Sequence, residues 1–304
     1  MIAPKIAVGP QGQDEWACAA VRAGGGEVVD ASLAQGLVWT DFDTTAVLVQ
    51  TLANNPGITW VQVPFSGVET YMPYVLGTRT WTSAKGVFGG AVAEHALGLL
   101  LGGMRHIGGY AREKQWSQDH GRTLFGARVT ILGAGGIARS LISMLEPFGC
   151  FITVVRNRQG EVAGADVVVT TSQLHGALVD ADAVVMALAL TPQTHGIMGK
   201  PQFELMQSHA WLVNVGRGKQ VVTNDLVWAL ETGAIGGAAL DVTDPEPLPQ
   251  GHPLWSMSNC IITPHVGNTA DMVPPLLALR IAENVRRLAT GQQLLGVIDP
   301  TVGY

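Results

Sequence analysis

Short runs rich in β-branched residues alternate with helical patterns along most of the chain. This alternation is typical of a parallel sheet covered by helices on both faces. Four such runs occupy the first part of the sequence, and they are Lys5 to Val8, Gly36 to Trp39, Ile58 to Val63 and Thr80 to Thr82. We therefore expect an α/β protein whose first part is a small flavodoxin-like unit ending near residue 90. Trp39, Trp60 and Trp81 read as core residues of this unit, with a place in a substrate pocket as the alternative.

A second series of strands begins at residue 128. Its members are Arg128 to Leu132, Phe151 to Val155, Ala183 to Ala189, Trp211 to Val215, Ala238 to Val242 and Ile261 to Thr263. Six strands in this alternation predict a full dinucleotide-binding domain of the Rossmann type. The complete chain is thus expected to hold two doubly wound parallel-sheet domains.

A long apolar helix is predicted between the two series, from Ala91 to His106. It contains glycines at positions 98, 102 and 103 and has scarcely any polar face. A helix that is apolar all round is buried, either at a domain junction or in a subunit interface. Because its glycines suit close packing in a two-fold arrangement, we expect a homodimer.

A glycine pattern opens the second domain. Gly133, Gly135, Gly136 and Ile137 belong to the segment GAGGIA, which follows a predicted strand and begins a predicted helix. In the dinucleotide fingerprint the first glycine permits a tight turn, and the second lets the backbone approach a pyrophosphate at the helix N-terminus. The alternative is a glycine turn that only packs. The surrounding α/β alternation favours a dinucleotide site.

The end of the next strand bears on the choice of cofactor. NAD-binding domains carry an acidic residue there that holds the ribose hydroxyls, whereas this chain has Arg156, Asn157 and Arg158 and no carboxylate. Guanidinium groups suit a 2′-phosphate. We therefore predict NADP as the cofactor, with NAD possible, and the alternative is that both arginines are solvated surface charges.

Composition narrows the range of partners. The 18 basic and 24 acidic residues give a net charge of −6 without a basic run, so we expect no nucleic-acid partner. The N-terminal segment reads as a strand and no apolar run is long enough to span a bilayer, so we expect no membrane partner and a cytoplasmic protein. Cys18, Cys150 and Cys260 are scattered through apolar segments, which favours plain burial over a disulfide or a metal site.

Three side chains in the second series suggest catalysis. Arg217, Glu246 and His265 each follow a predicted strand of the same sheet. Ligands bind at the carboxyl edge of such sheets, so these residues are expected to meet there. A permanently charged guanidinium, an imidazole that exchanges a proton and a carboxylate that orients the imidazole are the groups that reduction of a 2-oxo acid requires. The carboxylate is also expected to help keep His265 protonated near neutral pH.

The ordered motifs of the chain are similar to those of a known family, the D-isomer-specific 2-hydroxyacid dehydrogenases, which include glyoxylate/hydroxypyruvate reductases. The matching segments are VAEH at 92–95, the glycine fingerprint, TPQTHG at 191–196, NVGRG at 214–218, LDV at 240–242, EPL at 246–248 with HPLW at 252–255, and TPHVG at 263–267.

This resemblance implies roles for individual residues. Arg217 would grip the substrate carboxylate and keto oxygen, His265 would be the acid and base, and Glu246 would orient His265. Backbone around Gly67 and Val68 would complete the substrate site. Further cofactor contacts would come from Leu188, Thr194, Val215, Asp241 and Gly267.

The resemblance also sets the expected domain limits. Residues 1–90 with 275–304 would form the substrate domain, because the family returns its last helix to the first domain, and residues 91–274 would form the dinucleotide domain. Two positions depart from the family pattern, namely Ala189 in place of a common proline and Gly136 in place of a common arginine.

The expected activity is reduction of a small 2-oxo acid, of the glyoxylate, hydroxypyruvate or arylpyruvate type, to a D-2-hydroxy acid. An NAD-dependent dehydrogenase of the D-lactate or phosphoglycerate type is one alternative. A dinucleotide-sensing binding protein of corepressor type, without turnover, is another.

Overall fold

The computed structural model describes residues 3–10, 14–41, 44–75 and 77–300. The chain divides into two compact units, Met1–Phe88 with Thr269–Tyr304, and Gly89–Asn268. The first unit is therefore discontinuous in sequence, and the second is continuous.

The first unit contains a parallel sheet of five described strands. They are β1 (Lys5–Gly9), β2 (Glu27–Val28), β3 (Gly36–Trp39), β4 (Trp60–Gln62) and β5 (Thr80–Thr82). Their order in the sheet is β2-β1-β3-β4-β5, which is the flavodoxin order. The expected flavodoxin-like unit is confirmed. Trp39, Trp60 and Trp81 lie in its core, each at most 2% exposed.

Two helices in the first part of the chain and one near its C-terminus complete this unit. They are α1 (Glu15–Ala23), α2 (Thr45–Asn54) and α9 (Val273–Thr290). Helix α9 is tied to the sheet through the fully buried Asn284, whose Nδ2 donates to Gln62 Oε1 at 3.1 Å and to the Leu295 carbonyl at 3.0 Å. Buried amides need such partners, so this bond fixes the placement of α9 on the sheet.

The second unit is built on a seven-stranded parallel sheet. Its strands are β6 (Arg128–Leu132), β7 (Phe151–Arg156), β8 (Val167–Thr170), β9 (Ala183–Met186), β10 (Trp211–Asn214), β11 (Gly237–Leu240) and β12 (Cys260–Ile262). The order β12-β11-β10-β9-β6-β7-β8 is the doubly wound dinucleotide-binding order extended by one strand. The expected fold class is confirmed for this unit as well.

Six helices lie in this unit. They are α3 (Gly89–Met104), α4 (Ile107–Tyr110), α5 (Gly136–Leu145), α6 (Leu174–Leu178), α7 (Lys200–Phe203) and α8 (Thr223–Glu231). One apolar layer joins α3 and α5 to the sheet through Ala96, Leu100 and Ile131, and a second lies on the opposite face around Leu132 and Val184. Burying each large side chain stabilises the unit by roughly 1.5–3 kcal/mol.

The apolar helix differs from its prediction in extent and in burial. It begins at Gly89 and ends at Met104, and His106 beyond it adopts a left-handed backbone with φ 56°. Only one face is buried, since Glu94 and Gly98 are exposed. The face that carries Glu94 and Gly98 is therefore open in the single chain, and its burial in a subunit interface stays a prediction.

The remaining expectations concern cysteines, metals and membranes. Cys18 and Cys260 are buried, and burial raises the pKa of the Cys260 thiol to about 12. No group of three or more His, Cys, Asp or Glu side chains that could hold a metal is found among the described residues. Within the same part of the chain, no helix has the length and apolar character needed to cross a bilayer.

Candidate active site

Arg217 is held by the turn that follows β10. Its backbone N–H donates to Gln220 Oε1 at 3.0 Å, and Asn214 at the end of the strand accepts from the N–H of Gly216 at 3.0 Å and donates to the Arg217 carbonyl at 3.2 Å. Asn214 and Gln220 are both fully buried. A Cβ added at Gly218 would overlap the Thr243 carbonyl, so only glycine fits this turn. The backbone that carries the guanidinium is thereby fixed.

His265 and Glu246 form a hydrogen-bonded pair. His265 Nδ1 lies 2.6 Å from Glu246 Oε1, and the two side chains are 52% and 41% exposed. Because an ionised carboxylate only accepts, Nδ1 carries the proton and donates it. The other ring nitrogen, Nε2, is therefore the atom available to a substrate.

The backbone at His265 is strained. Its φ of 55° lies in the left-handed region, which costs roughly 1–3 kcal/mol for a residue other than glycine. The His265 N–H donates to the Asp241 carbonyl at 2.9 Å, and the Asp241 carboxylate accepts the N–H groups of Val266 and Gly267, both at 2.9 Å. Asp241, which is 4% exposed, is thus the anchor of the histidine turn.

These three side chains follow neighbouring strands. Arg217 comes after β10, Glu246 after β11 and His265 after β12, so all three lie on loops at the carboxyl edge of one sheet. Among them, His265 and Glu246 are joined by a direct hydrogen bond. The arrangement presents a ring nitrogen that can take up and release a proton and a permanent positive charge at the same edge, which suits reduction of a carbonyl group.

The glycine fingerprint forms the turn between β6 and α5. Gly133 has φ 114°, and a Cβ added there would lie 2.5 Å from the Ala187 carbonyl oxygen, so the turn itself requires glycine. A Cβ at Gly135 would meet no atom within 4 Å, so packing inside the chain does not require glycine at that position. The first N–H groups of α5, at Gly136 and Ile137, have no intrahelical acceptors. The open space at Gly135 beside these donors fits a diphosphate.

Arg156 and Arg158 lie at the carboxyl end of β7. Arg156 is the last residue of the strand and is half-buried, whereas Arg158 is exposed. Across the described part of the chain neither guanidinium takes part in a salt bridge. Two cations without carboxylate partners at this strand end fit a phosphate group on the ribose.

The other residues expected at the site lie in two places. Leu188 follows β9, and its carbonyl accepts from Gln220 Nε2 at 3.0 Å, while Val215 follows β10 and is buried. Thr194 Oγ1 donates to the Ala189 carbonyl at 2.8 Å and so shapes the loop after β9. Gly67 and Val68 belong to the first unit, where Val68 is 2% exposed.

Sequence reasoning missed several residues that shape the site. His95, the last residue of the VAEH motif, places Nε2 3.0 Å from Thr263 Oγ1 and 3.2 Å from Asp241 Oδ1. Asn214 and Gln220 were assigned no role, although both hold the turn of Arg217. The sequence held part of this information, because His95 and Asn214 lie within the quoted motifs and Gln220 lies two residues after one of them.

Comparisons with known proteins agree with this architecture. A model of the family described as "D-isomer specific 2-hydroxyacid dehydrogenase, NAD binding domain" matches residues 97–267. An uncharacterised protein of Corynebacterium melassecola is 37% identical over 255 residues, which are 81% of this chain and 84% of the relative. Glyoxylate/hydroxypyruvate reductase A of Photorhabdus laumondii is 28% identical over 264 residues, 83% of this chain and 84% of the relative.

A solved structure gives the same result for the fold. The crystal structure of a D-isomer specific 2-hydroxyacid dehydrogenase from Xanthobacter autotrophicus Py2, in complex with NADPH and MES, superposes with a TM-score of 0.84. It is 27% identical in sequence, and the match covers 100% of both chains.

Proposed function

Because this chain belongs to the D-isomer specific 2-hydroxyacid dehydrogenase family, we propose that it reduces a small 2-oxo acid to the D-2-hydroxy acid with NAD(P)H. The protein is an NAD(P)-dependent oxidoreductase. The observation that carries the proposal is the 2.6 Å contact between His265 Nδ1 and Glu246 Oε1, at the sheet edge that also bears Arg217. The glyoxylate/hydroxypyruvate reductase among its relatives supports substrates of the glyoxylate, hydroxypyruvate or arylpyruvate type.

His265, Glu246 and Arg217 would each have a separate role in the reaction. Bound NAD(P)H supplies the hydride that reaches C2 of the substrate. As the carbonyl electron pair moves onto oxygen, His265 donates its Nε2 proton to that oxygen, and Glu246 stabilises the charge on the imidazolium before the transfer. Arg217 pairs with the substrate carboxylate and stabilises the negative charge that develops on the oxygen.

The cofactor assignment rests on the two ends of the dinucleotide site. Gly133, Gly135, Gly136 and Ile137 would hold the diphosphate at the N-terminus of α5. Arg156 and Arg158 would bind the 2′-phosphate, which favours NADP over NAD. The NADPH in the Xanthobacter structure supports this choice.

Further contacts are assigned through the family. Leu188, Thr194, Val215, Asp241 and Gly267 would line the nicotinamide end, and Gly67 and Val68 would contribute backbone to the substrate site. Residues 1–90 with 275–304 would act as the substrate domain, and residues 91–274 as the dinucleotide domain. The division of the chain near residues 88 and 268 supports these roles.

We also propose a homodimer formed through α3 and the segment that follows it. The open face of α3 carries Gly98, where an added Cβ would meet no atom within 4 Å. Beyond the helix, Ile107, Trp116 and Phe125 are 55%, 101% and 67% exposed. Large apolar side chains exposed beside an open helix face fit a second copy of this chain. A cytoplasmic location remains a proposal, supported by cysteines that form no disulfide within the described residues.

A substrate screen tests the proposed function. Purified protein is mixed with NADPH or NADH and a series of 2-oxo acids, the loss of absorbance at the reduced nicotinamide is recorded, and the product is resolved on a chiral column. We expect turnover with NADPH and a D-2-hydroxy acid as product. Tight NADPH binding without turnover would indicate a sensor, and faster turnover with NADH would indicate an NAD-dependent dehydrogenase.

A further inference from the structure

His95 reaches the candidate site from helix α3. Its side chain is 24% exposed, and Nε2 lies 3.0 Å from Thr263 Oγ1 and 3.2 Å from Asp241 Oδ1. The residue is therefore hydrogen-bonded to Thr263 and within ion-pair distance of Asp241, the anchor of the histidine turn, and in residues 77–300 no hydrogen bond joins it to His265 or Glu246.

The position of the His95 proton follows from its neighbours. Thr263 Oγ1 lies 2.6 Å from Asp241 Oδ1, and since the carboxylate only accepts, the hydroxyl proton points to Asp241. The hydroxyl therefore offers His95 only lone pairs. Both acceptors near Nε2 require a donor, so Nε2 carries a proton.

This donation completes the environment of the Asp241 carboxylate. Oδ1 accepts from Thr263 and from the Val266 N–H and lies 3.2 Å from His95 Nε2, and Oδ2 accepts from the Gly267 N–H. Three hydrogen bonds and the neighbouring imidazole N–H thus surround the carboxylate. A buried carboxylate that loses a donor carries a desolvation cost, which it relieves by turning toward other donors or water.

Rotation of this carboxylate would move His265. Its two oxygens hold the amides of Val266 and Gly267, directly after the left-handed residue. Strained backbone persists only while its surroundings over-determine it. Loss of one holding bond therefore lets the turn relax and shifts the direction of Nε2 of His265.

We propose that His95 is a positioning residue for the reaction, acting through Thr263 and Asp241 on the orientation of His265. The proposal rests on the proposed function, in which His265 donates the proton. It assigns part of the catalytic geometry to α3, a helix outside the strand-end loops. A displacement of about 1 Å at the reacting atoms costs on the order of 100-fold in rate.

Two variants separate this role from simple packing. His95→Met keeps the size of the side chain and removes the donor, and we expect kcat to fall about 10- to 100-fold while the folded protein still binds NADPH. His95→Gln supplies an amide N–H in place of Nε2, and we expect it to restore kcat to within about threefold of the unaltered protein. Equal activity of the Met and Gln variants would overturn the proposal.

A second pair of variants, at Thr263, tests the same relay if the His95→Met variant fails to fold. Thr263→Val removes the hydroxyl with little change of shape, and Thr263→Ser keeps it. We expect the valine variant to show the same loss of kcat and the serine variant to retain activity. Thermal melts and NADPH binding serve as folding controls, and a valine variant as active as the serine variant would contradict the relay.

A double-mutant cycle identifies the route of the effect. If His95 acts only through His265, then His95→Met has no further effect on the residual turnover of His265→Ala. Independent, multiplying effects would place His95 elsewhere in the reaction and refute the proposal. Failure of the proposed function is distinct, because in that case either the unaltered protein would turn over no 2-oxo acid or His265→Ala alone would keep full turnover.

Discussion

Removal of Arg156 and Arg158 should convert a strong preference for NADPH into near equality with NADH. The perturbation is the double change Arg156→Ala and Arg158→Ala. Both side chains lie where β7 ends, and neither takes part in a salt bridge within the described residues. Their removal leaves no carboxylate without its partner, so we expect less than about 0.5 kcal/mol of change in unfolding free energy.

The size of the effect follows from the charges. A hydrogen bond to a charged group contributes about 1.5–3 kcal/mol, and each 1.4 kcal/mol is a factor of ten. Arg158 is exposed and its charge is screened by salt, whereas Arg156 is half-buried. We therefore assign to the two arginines together the contribution of one hydrogen bond to a charged group. This predicts a loss of about 10- to 100-fold in kcat/KM for NADPH and less than about threefold for NADH.

The assay is steady-state kinetics with both cofactors on the best 2-oxo acid, at low and at high salt. Arg128→Ala is the matched control, because Arg128 begins β6 opposite Phe151, at the other end of the strand that carries Arg156. Five residue steps put it about 17 Å away, beyond the screening length of about 8 Å at physiological salt. If the double variant lost equal factors of kcat/KM with NADPH and NADH, the arginines would be ordinary surface charges. Equal kcat/KM values for the two cofactors in the unaltered protein would lead to the same conclusion.

Other predictions address the acid, the two glycine turns and assembly. His265→Ala or Arg217→Ala should lower turnover by at least about 100-fold while NADPH binding survives, as measured by fluorescence titration; wild-type turnover in either would refute the mechanism. Gly218→Ala should lower the free energy of unfolding by more than about 2 kcal/mol in a denaturant titration, because the added Cβ overlaps backbone. Gly135→Ala should leave that free energy nearly unchanged and weaken NADPH binding, and the reverse pattern would argue against a diphosphate there. Light scattering should show a dimer at micromolar concentration and a monomer for Gly98→Arg, whereas a monomeric unaltered protein would leave the open face of α3 without this role.

The fold could be predicted because most of its strands are indicated by their own residues, without knowledge of contacts to distant parts of the chain. Runs of β-branched and apolar residues such as Val129 to Leu132 indicate a buried strand by themselves, and their alternation with helices indicates a parallel sheet. Two edge strands were missed, namely β2 and β8. The first has two residues, and the second is only partly buried, so their pairing with a neighbouring strand defines them more than their own sequence does.

The candidate site could be predicted where the residues of a motif require a particular backbone conformation. Gly133 needs a positive φ, and the sequence around it indicates the turn. The roles of Arg217, Glu246 and His265 remain predictions that the geometry favours. His95 could not be found in this way, because its contact with Thr263 joins positions 168 residues apart and depends on the register of α3 against the sheet.

The return of α9 to the first unit has a consequence for synthesis on the ribosome. That unit lacks its last helix until the whole of Gly89–Asn268 has been translated, which takes on the order of 10 to 40 s at about 5 to 20 residues per second. During this interval the face of α1 that packs against Val285, which includes Val21, is exposed to solvent. The continuous unit can fold first, and the nascent N-terminal segment must wait for it. The N-terminal segment is therefore the part of the newborn chain most in need of a chaperone.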